Sequence, residues 1–106
     1  MTLEILPEAL EEMESAFLFY ESQVPRLGLQ FLSKVGEGFH RILLNPLAWA
    51  LSQEGSSKTY RCLVRTFPFG LIYKINEKKI IVVAVMHLSR KPGYWKKRKG
   101  FQKGHV

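Results

Sequence analysis

A chain of 106 residues with 46% apolar side chains has material for one small core. It is too apolar for a disordered segment and has no run near the roughly 20 residues a membrane span needs. Its net charge of +7 is split, with seven Glu against Arg26, Lys34 and Arg41 in residues 1–53, and thirteen Lys or Arg against Glu54 and Glu77 in residues 54–106. Such a basic half attracts polyanions or an acidic partner protein, whereas the lone Cys62 excludes an internal disulfide and fits a reducing cytoplasm.

The N-terminus MTLEILPEALEE has no basic segment or cleavage pattern, so nothing points to secretion. Leu3 to Leu6 reads as a first strand. Pro7 then suits the first position of a helix, where its missing N–H is not needed, and Glu8, Glu11 and Glu12 favour the positive end of the helix dipole. Leu10, Met13, Phe17 and Tyr20 give that helix an apolar stripe, and Pro25 closes it. A second helix is expected from about Arg26 to Leu44, with Phe31, Val35, Phe39 and Ile42 on one face and Asn45-Pro46 as its stop. Gly36 and Gly38 lie inside it, each costing about 1 kcal/mol relative to Ala. Their expected use is to let the first helix approach.

Leu47 to Gln53 is expected to be irregular or a single helical turn, and Glu54-Gly55-Ser56-Ser57 a polar loop. Thr59 to Phe67 alternates as a strand, with Tyr60, Cys62 and Val64 on one face and Arg61, Leu63 and Arg65 on the other. After the turn Pro68-Phe69-Gly70, a strand runs from Leu71 to Ile75, and Asn76-Glu77-Lys78 turns it into Ile80 to Met86. That last run is apolar throughout and β-branched at five of seven positions, as a strand buried on both faces should be. The fold class is therefore α+β, in the order β-α-α-β-β-β, with a helical hairpin packed on one face of a mostly antiparallel sheet and the opposite face partly open. The chain reads as a single domain, 1–106, whose basic tail 96–106 lacks periodicity and is expected to fray.

No cofactor is implied. The chain has no Asp, its three histidines His40, His87 and His105 are far apart, and no phosphate loop, nucleophile elbow or paired carboxylates occur, so a metal site is not expected. What stands out is a cationic and aromatic set of Arg61, Arg65, His87, Arg90 and Tyr94, expected to converge at one sheet edge. There the arginines could stabilise negative charge during RNA cleavage and His87 or Tyr94 could move a proton. The plainer alternatives are that Arg61 and Arg65 pair with glutamates or face water, that His87 bonds locally, and that Tyr94 and Trp95 pin the tail.

In this order the pieces LPEALEEMESAFLFYESQ, YRCLVRTFPFGLIYKI and VVAVMHLSRKPGYWKKR resemble the RelE/ParE family of bacterial toxins, over about Leu3 to Arg98. The FPF…IY piece and the H-x-x-R-x-P-x-Y-W piece are the most specific. The resemblance implies one of two activities: mRNA cleavage on the ribosome by a basic cluster, as in RelE-like members, or poisoning of DNA gyrase, as in ParE-like members. Arg61, Arg90 and Tyr94 match the nuclease cluster. Leu63 stands where a second Lys is expected and Gly70 where an Arg is, and His87 could substitute as acid or base. One lost charge-stabilising contact removes on the order of a hundredfold in rate, so the ParE-like reading is favoured, with a nuclease or a degenerate non-toxic member as alternatives. The family also implies a cytoplasmic location, a hetero-oligomer with a cognate antitoxin lying over the open sheet face, and a target- or antitoxin-binding surface drawn from Arg61, Arg65, Arg90, Tyr94, Trp95, Lys96, Lys97 and Arg98.

Overall fold

In the computed structural model, Pro7 does open the first helix, α1 (Pro7–Gln23). The buried side of α1 is narrower than the stripe expected for it. Ala9 and Ala16 are buried, Met13, Phe17 and Tyr20 are partly covered, and Leu10 is 48% exposed. Helix α2 (Leu27–Leu44) buries Phe31, Val35, Gly38 and Ile42, at helical spacing, while Phe39 is only partly covered. The description covers residues 1–54 and 57–102, the side chains of 51–54 and 57 excepted; Gly55, Ser56 and residues 103–106 lie outside it.

The link between the helices is held by one side chain. Arg26, which precedes α2, has a left-handed backbone (φ 72°), and the Glu21 carboxylate at the end of α1 accepts hydrogen bonds from Arg26 N at 3.0 Å and Gly28 N at 2.9 Å. These are N–H groups that a helix start leaves without partners. The close approach of α1 and α2 is made at Gly28. A Cβ there would sit 2.6 Å from the Phe17 carbonyl oxygen and 2.8 Å from the Phe17 ring. This corrects the role expected of Gly36 and Gly38: a Cβ on Gly38 would meet Leu71 of the sheet, and one on Gly36 would meet nothing. Gly36→Ala is therefore expected to raise stability by about 1 kcal/mol, through helix propensity with no steric penalty. A urea midpoint at or below that of the parent chain would contradict it.

After a 3₁₀ turn (Pro46–Trp49) come four strands: β2 (Ala50–Glu54), β3 (Ser57–Leu63), β4 (Phe69–Asn76) and β5 (Lys79–His87). With β1 (Thr2–Ile5) they form one sheet in the order β1-β5-β4-β3-β2, antiparallel except for the β1–β5 pair. The expected order β-α-α-β-β-β is present, and β2 is added to it at the margin. The irregular segment expected up to Gln53 thus ends in a short edge strand, whose Glu54 pairs with Ser57. Strand β5 lies between β1 and β4 with every residue from Ile80 to Met86 buried, which explains its unbroken apolar run.

Cross-strand partners share a face. Cys62, Leu71 and Val85 lie in register, and Leu71 is the residue against Gly38, so this is the helix-covered face. Phe69 on the same face joins Tyr20, Phe31 and Phe67 in edge-on contacts with centroids about 5 Å apart. The FPF piece is thus a packing element that ties both helices to the β3–β4 turn.

The opposite face is not open where β4 and β5 run. Ile72, Ala84 and Met86 are almost wholly buried, and a second 3₁₀ turn (Tyr94–Lys97) followed by one-turn helix α3 (Lys99–Gln102) seats Trp95 and Phe101 in the same core. Lys74 of β4 donates to the Phe101 carbonyl at 2.6 Å, and its burial lowers its pKa from the usual lysine value. The fraying expected from Lys96 onward is therefore corrected as far as Gln102. The two buried rings, Trp95 and Phe101, six residues apart in an otherwise basic stretch, are what hold it down.

Candidate functional site

Strand β1 ends at Ile5, so the outer edge of β5 beyond Val82 has no strand beside it. Along the same stretch the β4–β5 register shifts, with Tyr73 opposite Val82 and Ile72 opposite Ala84, which leaves Val83 as an extra, bulged residue. Side chains occupy this bare edge. Glu12 of α1 accepts a hydrogen bond from Val85 N at 3.0 Å, and Arg98 donates to the Val83 carbonyl at 2.6 Å. Buried backbone groups left unpaired are costly, and this pair satisfies them in place of a sixth strand.

The same carboxylate gathers the C-terminal segment. Glu12 accepts two hydrogen bonds from the Arg98 guanidinium at 2.9 and 3.0 Å, one from the Tyr94 hydroxyl at 2.5 Å, and a longer one from Arg90 at 3.3 Å. The Arg90 guanidinium lies 3.6 Å from the centre of the Tyr94 ring, and that of Arg98 lies 5.0 Å from it. Burial, and then the bond to Glu12, push the Tyr94 phenol far above its ordinary pKa despite the two arginines. Tyr94 is thus a fixed donor, unsuited to accept a proton near neutral pH. Burial disfavours the Arg98 charge, yet the hydrogen bonds and charge of Glu12 outweigh it and the pKa of Arg98 is raised.

Arg61 and Arg65 lie elsewhere. Arg61 is in register with Ile72 and Ala84, on the face away from the helices, with its aliphatic stem over Gly70 and Leu88 beside it. Strands β3 and β5 are separated by β4, about 10 Å from one to the other. Arg65 falls outside the strand expected to carry it, because β3 stops at Leu63 and Arg65 enters the turn that precedes Phe69. Among the described residues neither side chain makes an ion pair or hydrogen bond.

The expected convergence of Arg61, Arg65, His87, Arg90 and Tyr94 is therefore corrected: Arg90, Tyr94 and Arg98 meet at Glu12, while Arg61 and Arg65 stand apart on the β3 side. His87 makes a local contact, its Nδ1 accepting from Ser89 N at 3.1 Å, and its ring meets Phe69 edge-on. Trp95 is buried and serves as an anchor, whereas Lys96 and Lys97 are exposed.

Glu12 is the residue that sequence reasoning passed over, taking it only as a negative charge favoured near the start of α1. Its spacing did carry a signal: it stands three residues after Ala9 and four before Ala16, both buried, which turns it toward the sheet. Between α1 and the end of β5 lies a groove of about 680 Å³, lined by Glu8, Glu11, Phe19, Tyr20, His87 and Arg90 among others. Among the described residues no helix is long and apolar enough to cross a membrane.

A structure titled as the chromosomal ParDE TA system from P. aeruginosa has the same fold, with a TM-score of 0.71 at 15% identity, over 83% of this chain and 96% of that one. No curated protein matches the sequence. The family model described as the ParE toxin of type II toxin-antitoxin system, parDE, matches residues 3–92. With that span covering the helical hairpin, β3 to β5 and the arginine of the Glu12 cluster at position 90, the chain belongs to the ParE toxin family.

Proposed function

We propose that this chain is the growth-inhibiting component of a toxin–antitoxin pair, acting on DNA gyrase without cleaving RNA and neutralised by a cognate antitoxin in the cytoplasm. One observation carries the non-enzymatic reading. The arginines that a nuclease would bring to one phosphate are divided between two sides of the sheet, and Arg90, with Tyr94 and Arg98, is engaged with Glu12. A transition-state site needs donors aimed at one point with no reorganisation left to do, and this arrangement supplies none.

The Arg61 side of the sheet supports an antitoxin interface. Leu63 and Leu88 are 49% and 42% exposed there, beside a guanidinium that has no carboxylate partner among the described residues. An acidic, partly apolar antitoxin segment fits that surface by charge and by hydrophobic contact. The whole chain, 1–106, would act as one domain in such a hetero-oligomer.

Purified toxin should inhibit supercoiling by gyrase and accumulate cleaved DNA, and added antitoxin should reverse both. Unchanged supercoiling at saturating toxin removes the gyrase reading. New mRNA ends mapped by primer extension after induction would replace it with ribosome-dependent cleavage.

A further inference from the structure

Helix α2 carries more apolar surface than the fold uses. Leu29, Leu32, Gly36, Phe39 and Leu43 follow one another at alternating intervals of three and four residues, the spacing of a helix seam. Only part of that seam is filled. Leu32 and Phe39 are partly covered, whereas Leu29 and Leu43 are 56% and 42% exposed and Gly36 is open. Leu29, Gly36 and Leu43 each stand one position after a buried residue, Gly28, Val35 and Ile42. They form a second line, about 100° round the helix from the buried one. Leu10 and Leu18 of α1, 48% and 58% exposed, add to the apolar surface of the hairpin.

We propose that a second copy of this chain packs on this stripe, α2 against α2, with the two helices crossing antiparallel at Gly36. The spacing is self-complementary. Leu29 and Leu43 lie seven residues to either side of Gly36, so a two-fold axis there brings each Leu29 to the partner's Leu43, as an isologous contact requires. Gly36 permits the crossing: a Cβ there would meet nothing within 4 Å in one copy, and without one two helix backbones can approach closely. The hairpin face is about 27 Å long, for the 18 residues of α2, and about 20 Å wide. That is on the order of 500 Å² in projection and more as accessible surface, against the roughly 600–1,000 Å² per partner of a stable interface.

Charge selects this occupant over others. Residues 1–53 hold seven Glu against three Lys or Arg, which repels the acidic antitoxin segment that suits the Arg61 side. The neighbouring outer positions of α2 are Ser33, Glu37 and His40, without the lysines and arginines that hold a helix on an anionic membrane or a nucleic acid. The stripe itself bears no charge, and copies joined through it keep their basic halves at opposite ends of the dimer. The inference is independent of the action on gyrase and leaves the Arg61 side of each copy free.

The test is sedimentation equilibrium of the full chain alone. Its mass should rise from 12.3 kDa toward twice that between about 1 and 100 µM. Leu29→Glu or Leu43→Glu should raise the dissociation constant on the order of tenfold or more, since each puts a carboxylate into the apolar seam. Leu63→Glu and Leu88→Glu, on the Arg61 side and similarly exposed, should leave it unchanged. Gly36→Ala should act with two signs: the dilute monomer gains helix stability, while a methyl group at the crossing weakens the dimer. Gly36→Cys should join two copies by a disulfide under mild oxidation and Ser22→Cys should not, because position 36 meets itself across the axis.

A parent chain that stays at 12.3 kDa at about 100 µM overturns the inference. So does a dimer that Leu63→Glu or Leu88→Glu dissolves and Leu29→Glu does not, or one in which Gly36→Cys fails to cross-link. A monomeric chain in which Leu29→Glu instead weakens capture of the cognate antitoxin would give the stripe to that partner and overturn it as well.

Discussion

Replacing Glu12 with Ala is expected to destabilise the protein by about 3 kcal/mol and to loosen the chain from Arg90 to Gln102. The carboxylate and Arg98 are 16% and 14% exposed, so the pair is largely out of water. Removing one member of such a pair leaves the other buried without its counter-charge, which outweighs the modest net worth of the intact bridge. Here the loss is compounded. Val85 N loses its acceptor, the Tyr94 hydroxyl loses its partner, and the bare edge of β5 is reopened.

Chemical denaturation should report the stability change, and a red shift of tryptophan emission the exposure of Trp95. Glu12→Gln keeps the shape and one acceptor oxygen but not the charge, and should fall between the two. Removing Arg98 as well should cost less than the sum of the single changes, since the two act as one unit. A Glu12→Ala protein within 0.5 kcal/mol of its parent would sink the claim that this carboxylate fastens the C-terminal segment.

Gly28→Ala should be the second most damaging change, at about 2 kcal/mol or more. The added methyl group would meet the Phe17 carbonyl and ring and the Glu21 Cβ, all within 2.9 Å. The carbonyl is backbone in the middle of α1, so the helices themselves must separate. Overpacking of this kind costs about 1–3 kcal/mol. Separation also pulls Glu21 from the N–H groups it caps, worth roughly 1 kcal/mol more. The gain in helix propensity is about 1 kcal/mol at most and offsets only part. At this chain length the midpoint of thermal unfolding should fall by about 10 °C. A melting temperature equal to that of the parent would mean that the hairpin tolerates a wider spacing than its geometry allows.

These two sites show where sequence reading reached and where it stopped. Strand β5 was legible because an apolar run without alternation admits few readings other than a strand covered on both sides. The helices were legible from Pro7, Pro25 and Asn45-Pro46 together with their apolar spacing. The edge strand β2 was not, because ALSQE has neither alternation nor β-branched residues and is a strand only by pairing with β3. Arg65 was placed on a strand by continuing an alternation past Leu63, where the chain in fact turns and Thr66 takes a left-handed backbone (φ 66°).

From the residues alone, the α+β class, the order of its main elements and the family were determined, because these depend on local periodicity, turn chemistry and motif pieces. Which side chains stand together was decided only in three dimensions. Glu12 lies 86 residues from Arg98 along the chain, and no local pattern specifies that pairing. It arises because β1 stops short of the end of β5, a bulge turns backbone groups outward there, and an acid on α1 and a base beyond β5 are the charged groups within reach of them. The face of Arg61 followed from the alternation of β3, but its distance from the Glu12 cluster was decided by the sheet order, which puts β4 between β3 and β5, and a resemblance in sequence does not gather them.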